Sequence, residues 1–297
     1  MNKVQIIADV GSNFDGSLDL ACDYIKAAGK CGADVIKFQT LRKDKLIAPR
    51  ITQDGRWIDN PVYLKFGNLE LPDKWHFVLK QTAEQYGIEF MSTPLYLEAV
   101  ELLEKVGVRR YKIASGDITF EPLLKAVAAT SKPVLLSTGA STLDDVAKAV
   151  EILKQSRTPD ITLLHCVSNY PPSWDEMNIK AVATLKETFN LPVGISDHTP
   201  GSLVPIAVVA LGATVVEKHI TFDRTLPGPD HSYATEIDEF KKLVCELRAL
   251  EKALGTGKKN PTETELAKQK RIRRGIYDPK TLRPANKLQG IWLRPQY

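Results

Sequence analysis

Two apolar runs that end in polar triplets decide how this chain is read. Val193-Gly194-Ile195 leads into Ser196-Asp197-His198, and Ala213-Thr214-Val215-Val216 leads into Glu217-Lys218-His219. The two histidines lie 21 positions apart, about one strand–helix–strand step. If both runs are neighbouring parallel strands, both imidazoles stand at the same rim of one sheet. Two imidazoles converging on a point suit a metal ion.

The pattern extends outward over the whole chain. Short β-branched runs recur at 4–8, 34–38, 88–91, 109–113, 133–136, 161–165, 192–195 and 213–218. Between most of them the apolar residues take helical spacing, as at 17–30, 96–106 and 141–155, and a last helix is expected over 236–254. Ser17 is placed to cap the first helix, with Asp19 in its first turn, and Asp144 and Asp145 suit the start of another. Strands alternating with helices predict a parallel sheet, and eight strands favour an α/β fold of the closed (β/α)8 TIM-barrel type. The competitor is an open doubly wound sheet. That fold usually carries a GxGxxG turn after its first strand, whereas this chain has Asp9-Val10-Gly11-Ser12-Asn13-Phe14-Asp15-Gly16. A faint echo links Gly32-Ala33-Asp34-Val35-Ile36-Lys37 to Gly212-Ala213-Thr214-Val215-Val216-Glu217. Both read as a helix end, a glycine turn, a buried strand and a charged tip.

The 297 residues suffice for one barrel of 1–256, followed by a linker and short extension over 257–297. Net charge of +4 is too weak to argue for nucleic acid. The basic run Lys268–Arg274 reads as a solvated face or as a nucleic-acid contact, and the solvated face is preferred. No apolar stretch is long enough for a membrane span. The chain enters a strand-like run at Val4 with no signal peptide, and its four cysteines form no CxxC pair, so a cytoplasmic enzyme with reduced thiols is expected. Residues 41–72 form a long connection, read either as a lid or as a surface excursion.

In a barrel the chemistry gathers where strands end. Those positions hold Asp9, Lys37, Gln39, Ser92, Thr93, Lys112, Ser115, Ser137, Thr138, His165, Ser168, Ser196, His198, Glu217 and His219. Two lysines, several hydroxyls and three histidines are thus expected to face one mouth. Lys37 and Lys112 suggest an anionic ligand, and Ser115-Gly116 and Ser137-Thr138-Gly139 suit phosphate. A lysine at a strand end could instead form a Schiff base; two lysines beside hydroxyls fit charge clamps better. His198 and His219 supply imidazole ligands, with Glu217 and Asp230 as nearby carboxylates, a set that fits Mn²⁺, Mg²⁺ or Zn²⁺. The prolines of Leu226-Pro227-Gly228-Pro229-Asp230 would hold Asp230 over the mouth.

These residues resemble the sialic acid synthase family, which comprises N-acetylneuraminate synthase and its legionaminic and pseudaminic relatives. The likeness runs through Ala8–Asn13, Gly32–Thr40, Ser92-Thr93-Pro94, Tyr111–Asp117, Leu136–Gly139, Leu164-His165-Cys166 with Tyr170-Pro171, Ser196–Thr199, Glu217-Lys218-His219 and Pro227–Asp230. It implies condensation of phosphoenolpyruvate with an N-acylated hexosamine-type aldose to a nine-carbon 2-keto acid and phosphate. It implies a metal, usually Mn²⁺, on His198 and His219. It implies carboxylate contacts from Lys37 and Thr93, and phosphate contacts from Lys112, Ser115 and Ser137. Ser168 and Ser196 would add polar contacts, Glu217 belongs to the same rim, and Asp9, Tyr170 and Asp230 would meet the sugar. A related synthase making a shorter 2-keto sugar acid, or a non-catalytic barrel, are the alternatives. The chain departs from the family in having Asp9 for Glu, Phe14 for His and Ser168 for Asn. Gly275-Ile276-Tyr277 and Trp292–Pro295 are similar to the start of the family's antifreeze-like C-terminal domain, most of which is expected to be missing. That domain reaches across a dimer in the family, so a homodimer is a further expectation.

Overall fold

The structure, a computed structural model, describes residues 3–155, 160–286 and 290–295. Strands and helices alternate eight times: β1 (Gln5–Gly11), α1 (Leu18–Cys31), β2 (Val35–Thr40), α2 (Asp73–Gln85), β3 (Glu89–Pro94), α3 (Leu97–Val106), β4 (Tyr111–Ile113), α4 (Glu121–Ala129), β5 (Val134–Ser137), α5 (Leu143–Gln155), β6 (Ile161–Cys166), α6 (Ala181–Phe189), β7 (Val193–Asp197), α7 (Leu203–Ala210), β8 (Val215–Thr221) and α8 (Ile237–Ala253). Parallel ladders run in the order β3-β2-β1-β8-β7-β6-β5-β4, and β3 and β4 at the two ends lie against each other. The result is the expected TIM barrel, and the open doubly wound alternative is excluded. Ser17 caps α1 by accepting from the Leu20 N–H.

Side chains on a strand alternate between faces, and here the alternation builds the site. Ile7, Val35, Met91, Leu135, Leu164 and Val215 form one small apolar cluster inside the barrel. Two residues further along those strands come Asp9, Lys37, Thr93, Ser137, Cys166 and Glu217, all at the C-terminal mouth. The apolar layer therefore acts as a floor, and the next inward layer is polar. The intervening residues, such as Ala8, Ile36, Phe38, Leu136, Leu163, Ile195 and Val216, join the larger core beneath the helices. Full burial of each large side chain there contributes about 1.5–3 kcal/mol.

The echo in the sequence marks equivalent places in the barrel. Gly32 closes α1 with φ +86° and Gly212 follows α7 with φ +100°, a left-handed conformation that favours glycine. Each turn leads into a strand that aims a charged tip inward, Lys37 from β2 and Glu217 from β8.

Residues 41–72 are more ordered than a plain connection. They hold helical turns at Lys43–Leu46 and Pro61–Gly67 and an antiparallel hairpin of Arg50–Gln53 with Arg56–Asp59. Asp54 and Gly55 turn the hairpin with φ of +48° and +73°, as an Asp-Gly turn does between twisted strands. Among the described residues, none from 41–72 lines the cavity at the mouth, which favours the excursion over the lid.

The chain divides into compact units at 1–254 and 255–297. In the second unit, Thr262 and Glu265 form a reciprocal capping box on the helix Glu263–Ile272. Gly275–Tyr277 pairs antiparallel with Ile291–Leu293. The charged members of the basic run lie exposed on and just after that helix, as a solvated face would. No helix among the described residues is long and apolar enough to cross a membrane.

Candidate active site

A cavity of about 550 Å³ opens at the C-terminal ends of the strands. Asp9, Lys37, Thr93, Lys112, Ser115, Ser137, Ser168, Tyr170, Ser196, His198, Glu217 and His219 all line it. They arrive from β1 through β8 and the loops that follow, so the barrel gathers residues more than 200 positions apart.

Charge is concentrated at the base. Lys37 Nζ lies 2.6 Å from Asp9 Oδ2, 3.4 Å from Thr93 Oγ1 and 3.9 Å from Glu217 Oε1. Lys112 Nζ lies 3.5 Å from the same Glu217 oxygen, to which Ser196 Oγ donates at 2.9 Å. Burial alone would push the Glu217 carboxyl up, but Lys112 and then Lys37 outweigh it and hold it well below the usual carboxylate range. Burial likewise opposes the charge on Lys37, and Asp9 and Glu217 reverse that and hold its pKa above the ordinary lysine value. The base is thus a set of fixed charges rather than a neutral pocket. A desolvated neutral lysine of the Schiff-base type is not what Lys37 presents.

Three buried polar atoms in this cavity lack a partner: Ser137 Oγ, Glu217 Oε2 and His219 Nδ1. Only two further such side-chain atoms occur among the described residues, Asn13 Oδ1 and Glu246 Oε2. A buried polar atom left unpaired costs about 1–3 kcal/mol, so their clustering marks a place built to be filled. Nearby, Gly139 N–H donates to Ser115 Oγ at 3.0 Å. A Cβ on Gly139 would come within 2.3 Å of Ser168 Oγ and 2.8 Å of Ser115 Oγ. The two hydroxyls close over a bare glycine backbone, forming a cradle with Ser137. Helix α5 adds little to it at its first turn, because Thr142 and Asp145 cap each other.

The two imidazoles stand side by side, with ring centroids 5.6 Å apart. His198 Nδ1 lies 3.2 Å from the Val167 carbonyl. A carbonyl only accepts, so Nδ1 carries a proton in this contact. His219 Nε2 is 3.2 Å from Asp9 Oδ2. Among the described residues no three His, Cys, Asp or Glu side chains form a closed metal cage. Two adjacent imidazoles, one with an unpartnered Nδ1, fit an open site in which water and substrate complete the ligand set.

Several strand-end residues do not face the mouth. His165 donates from Nε2 to the Met177 carbonyl at 2.7 Å. Ser92 bonds Thr40 Oγ1, which also bonds His76 Nε2. Thr138 donates to the Leu164 carbonyl. The expectation of three histidines at the mouth is corrected to two. His165 follows inward-facing Leu164 and precedes inward-facing Cys166, so strand alternation turns it toward the helices.

Asp230 is near the site but does not line the cavity. Its Oδ2 accepts from the Ser12 N–H and Oγ, and its Oδ1 accepts from Tyr233. Hydrogen bonds, rather than the flanking prolines, commit this carboxylate. Burial would raise its pKa, but His219 and then Tyr233 and Ser12 lower it. Gly11, at φ +56°, makes the approach possible, since a Cβ there would sit 2.6 Å from Asp230 Oδ2 and 2.9 Å from the His219 ring.

Tyr233 carries no signal in the sequence that marks it as part of the site. Its ring stands edge-on to both imidazoles, with centroids at 5.8 Å from His198 and 5.3 Å from His219, and contacts Tyr170 at 5.1 Å. Of the departures noted above, Asp9 is held by Lys37 and His219, Phe14 packs outside the barrel against Phe38 and Trp75, and Ser168 lines the cavity.

A TIM barrel that gathers paired lysines, a cluster of hydroxyls and two imidazoles at its strand ends has the architecture of an enzyme active site. The NeuB family model matches residues 24–259, and the chain belongs to the NeuB family, an enzyme family of phosphoenolpyruvate-dependent condensing transferases. It is 41% identical to an N,N'-diacetyllegionaminic acid synthase of Legionella pneumophila, across 91% of this chain and 79% of that one. It is 38% identical to a pseudaminic acid synthase of Campylobacter jejuni, across 95% and 83%. Among solved structures, an N-acetylneuraminic acid synthetase from Leptospira borgpetersenii in complex with citrate superposes with a TM-score of 0.82 at 36% identity, covering 90% of each chain.

Proposed function

We propose that this protein condenses phosphoenolpyruvate with an N-acylated hexosamine-type aldose, giving a sialic-acid-like nine-carbon 2-keto acid and phosphate. One observation carries the reading: two buried lysines flank Glu217 beside unpartnered Ser137 Oγ and a pair of imidazoles. An anion and an aldehyde can therefore be held side by side. Lys37 and Thr93 hold the carboxylate, and Lys112, Ser115 and Ser137 hold the phosphate. Ser196 keeps Glu217 oriented between the lysines. His198 and His219 would hold a divalent ion, Mn²⁺ before Mg²⁺ or Zn²⁺, and such an ion when bound polarises the aldehyde oxygen of the open-chain sugar. On this reading Asp9 and Tyr170, which line the cavity, would meet the sugar hydroxyls, and Asp230, held just outside it by Ser12 and Tyr233, would reach them only at the edge of the site. The enol carbon adds to the aldehyde carbon, water adds at the resulting cationic carbon, and phosphate departs. The residues act by placing charge before the reaction begins.

Phosphate release should require phosphoenolpyruvate, an acylated aldose and a divalent ion together, with mass spectrometry identifying the keto acid from a mixed aldose panel. His198→Ala and His219→Ala should lose most of the activity while phosphoenolpyruvate affinity falls much less. Turnover of arabinose phosphate or erythrose phosphate in preference to every acylated aldose would refute the acceptor class.

A further inference from the structure

The residue before each mouth histidine points the other way. Asp197 on β7 and Lys218 on β8 are direct cross-strand partners, turned to the outer face by the same alternation that turns His198 and His219 inward. Lys218 Nζ lies 2.8 Å from Asp197 Oδ2, and the two side chains are 1% and 0% exposed. Asp197 Oδ1 accepts from the Thr199 N–H at 3.0 Å and from its hydroxyl at 2.9 Å, while Lys218 Nζ donates to the Thr199 carbonyl. Thr199 directly follows His198, so the residue leaving that histidine is gripped at its N–H, its hydroxyl and its carbonyl. One step earlier, on the inner face, the cross-strand partners Ser196 and Glu217 are joined as well. The two strands are stitched on both faces just before the imidazoles emerge.

A fully buried ion pair is a poor device for stability, because desolvation of the two charges offsets most of their attraction; fixing geometry is its better-attested use. We propose that the Asp197–Lys218 pair is a positioning device that sets the separation and direction of His198 and His219. The inference rests on the reading of these imidazoles as metal ligands. Outer groups that orient metal-ligating histidines change metal affinity about 10–100-fold when removed.

The test is Mn²⁺ binding to the full chain, followed by calorimetry and by the paramagnetic resonance of free Mn²⁺, with thermal unfolding measured alongside. Wild type should bind, His219→Ala should not, and Lys218→Met and Asp197→Asn should bind about 10–100-fold more weakly. Phosphoenolpyruvate affinity without metal should stay close to wild type in the last two. Because one charge left unpaired can unfold the barrel, Asp197→Asn/Lys218→Met removes both charges together. It should recover thermal stability while Mn²⁺ affinity stays weakened. Recovery of both, or wild-type Mn²⁺ affinity in a folded single variant, overturns the inference and leaves the metal reading standing. Wild type and His219→Ala binding alike would refute the metal seat itself, and the inference with it.

Discussion

Replacing Gly139 with alanine adds one methyl-sized atom and tests the anion cradle directly. The new Cβ would lie 2.3 Å from Ser168 Oγ, 2.8 Å from Ser115 Oγ and 3.2 Å from Ser115 Cβ. Contacts that short force both hydroxyls to move. Ser168 can swing away about its own side-chain torsion. Ser115 is also held by the Gly139 N–H at 3.0 Å, so its displacement strains the loop after β5. A hydrogen bond to a charged group contributes about 1.5–3 kcal/mol, so losing one phosphate contact should raise KM for phosphoenolpyruvate about 10–150-fold. The backbone at Gly139 does not sit in the left-handed region, so the alanine itself costs little in folding. Steady-state kinetics with phosphoenolpyruvate varied against saturating aldose measures the effect. Gly139→Ala/Ser168→Ala should recover part of the loss, because it removes the nearest hydroxyl and leaves the clash with Ser115. A KM equal to wild type in folded Gly139→Ala would show that these hydroxyls do not hold the anion.

Glu217→Gln leaves Lys37 and Lys112 without their shared carboxylate and should destabilise the fold by about 3 kcal/mol at pH 7, measured by denaturant unfolding. The folded pKa of Glu217 lies below its unfolded value of about 4.3. Its contribution is therefore complete above that value and is lost as pH falls toward the folded pKa, so the gap between wild type and variant should shrink on acidification below about pH 4. Asp117 has the opposite sign: burial raises its carboxyl to about 6, with Lys112 opposing. Its charge costs nothing below about pH 4 and costs most above pH 6, so Asp117→Asn should stabilise by up to about 3 kcal/mol at pH 7.5 and have no effect at pH 4. Tyr233→Phe keeps the ring against both imidazoles but frees Asp230 Oδ1. Aldose KM should rise about tenfold, the worth of one charged hydrogen bond, while phosphoenolpyruvate KM stays near wild type; equal changes in both would refute a sugar-side role.

The barrel was legible because each strand is a short β-branched run and each return carries helical spacing. Twelve strand-end residues could be chosen for the same reason: a barrel puts its strand ends at one mouth. What the sequence hid was side, not place. Ser92, Thr138 and His165 stand at strand ends like the others, yet they face the helices. Which face a residue takes depends on a register that only the assembled ladder fixes. Tyr233 was invisible for a different reason. It lies in a single 3-10 turn, His231–Tyr233, within a stretch that has no periodicity, and its contacts to His198, His219 and Asp230 arise only when that stretch folds back over β1 and β8. The hairpin at 50–59 was readable from Asp54-Gly55, but its charge-rich flanks look the same as a disordered excursion.

Strand register also gives the opening triplets a finer meaning. Ser-Asp-His and Glu-Lys-His are each read inward, outward, inward. The outer residues of each triplet belong to the cavity, and the middle ones pair with each other beneath the helices. Lys37-Phe38-Gln39 follows the same rule, with Phe38 in the core between two cavity residues. So does Asp9-Val10-Gly11, where Val10 is fully buried and Gly11 leaves room for His219 and Asp230. Chemistry in this barrel is therefore written at spacing two, and the intervening residue secures the strand. A buried ion pair of intervening residues, as at Asp197 and Lys218, is the exception in a layer that elsewhere holds apolar residues together with Ser92, Thr138 and His165. It occurs on the two strands that carry His198 and His219, where a shift of one strand along the other would separate the adjacent imidazoles.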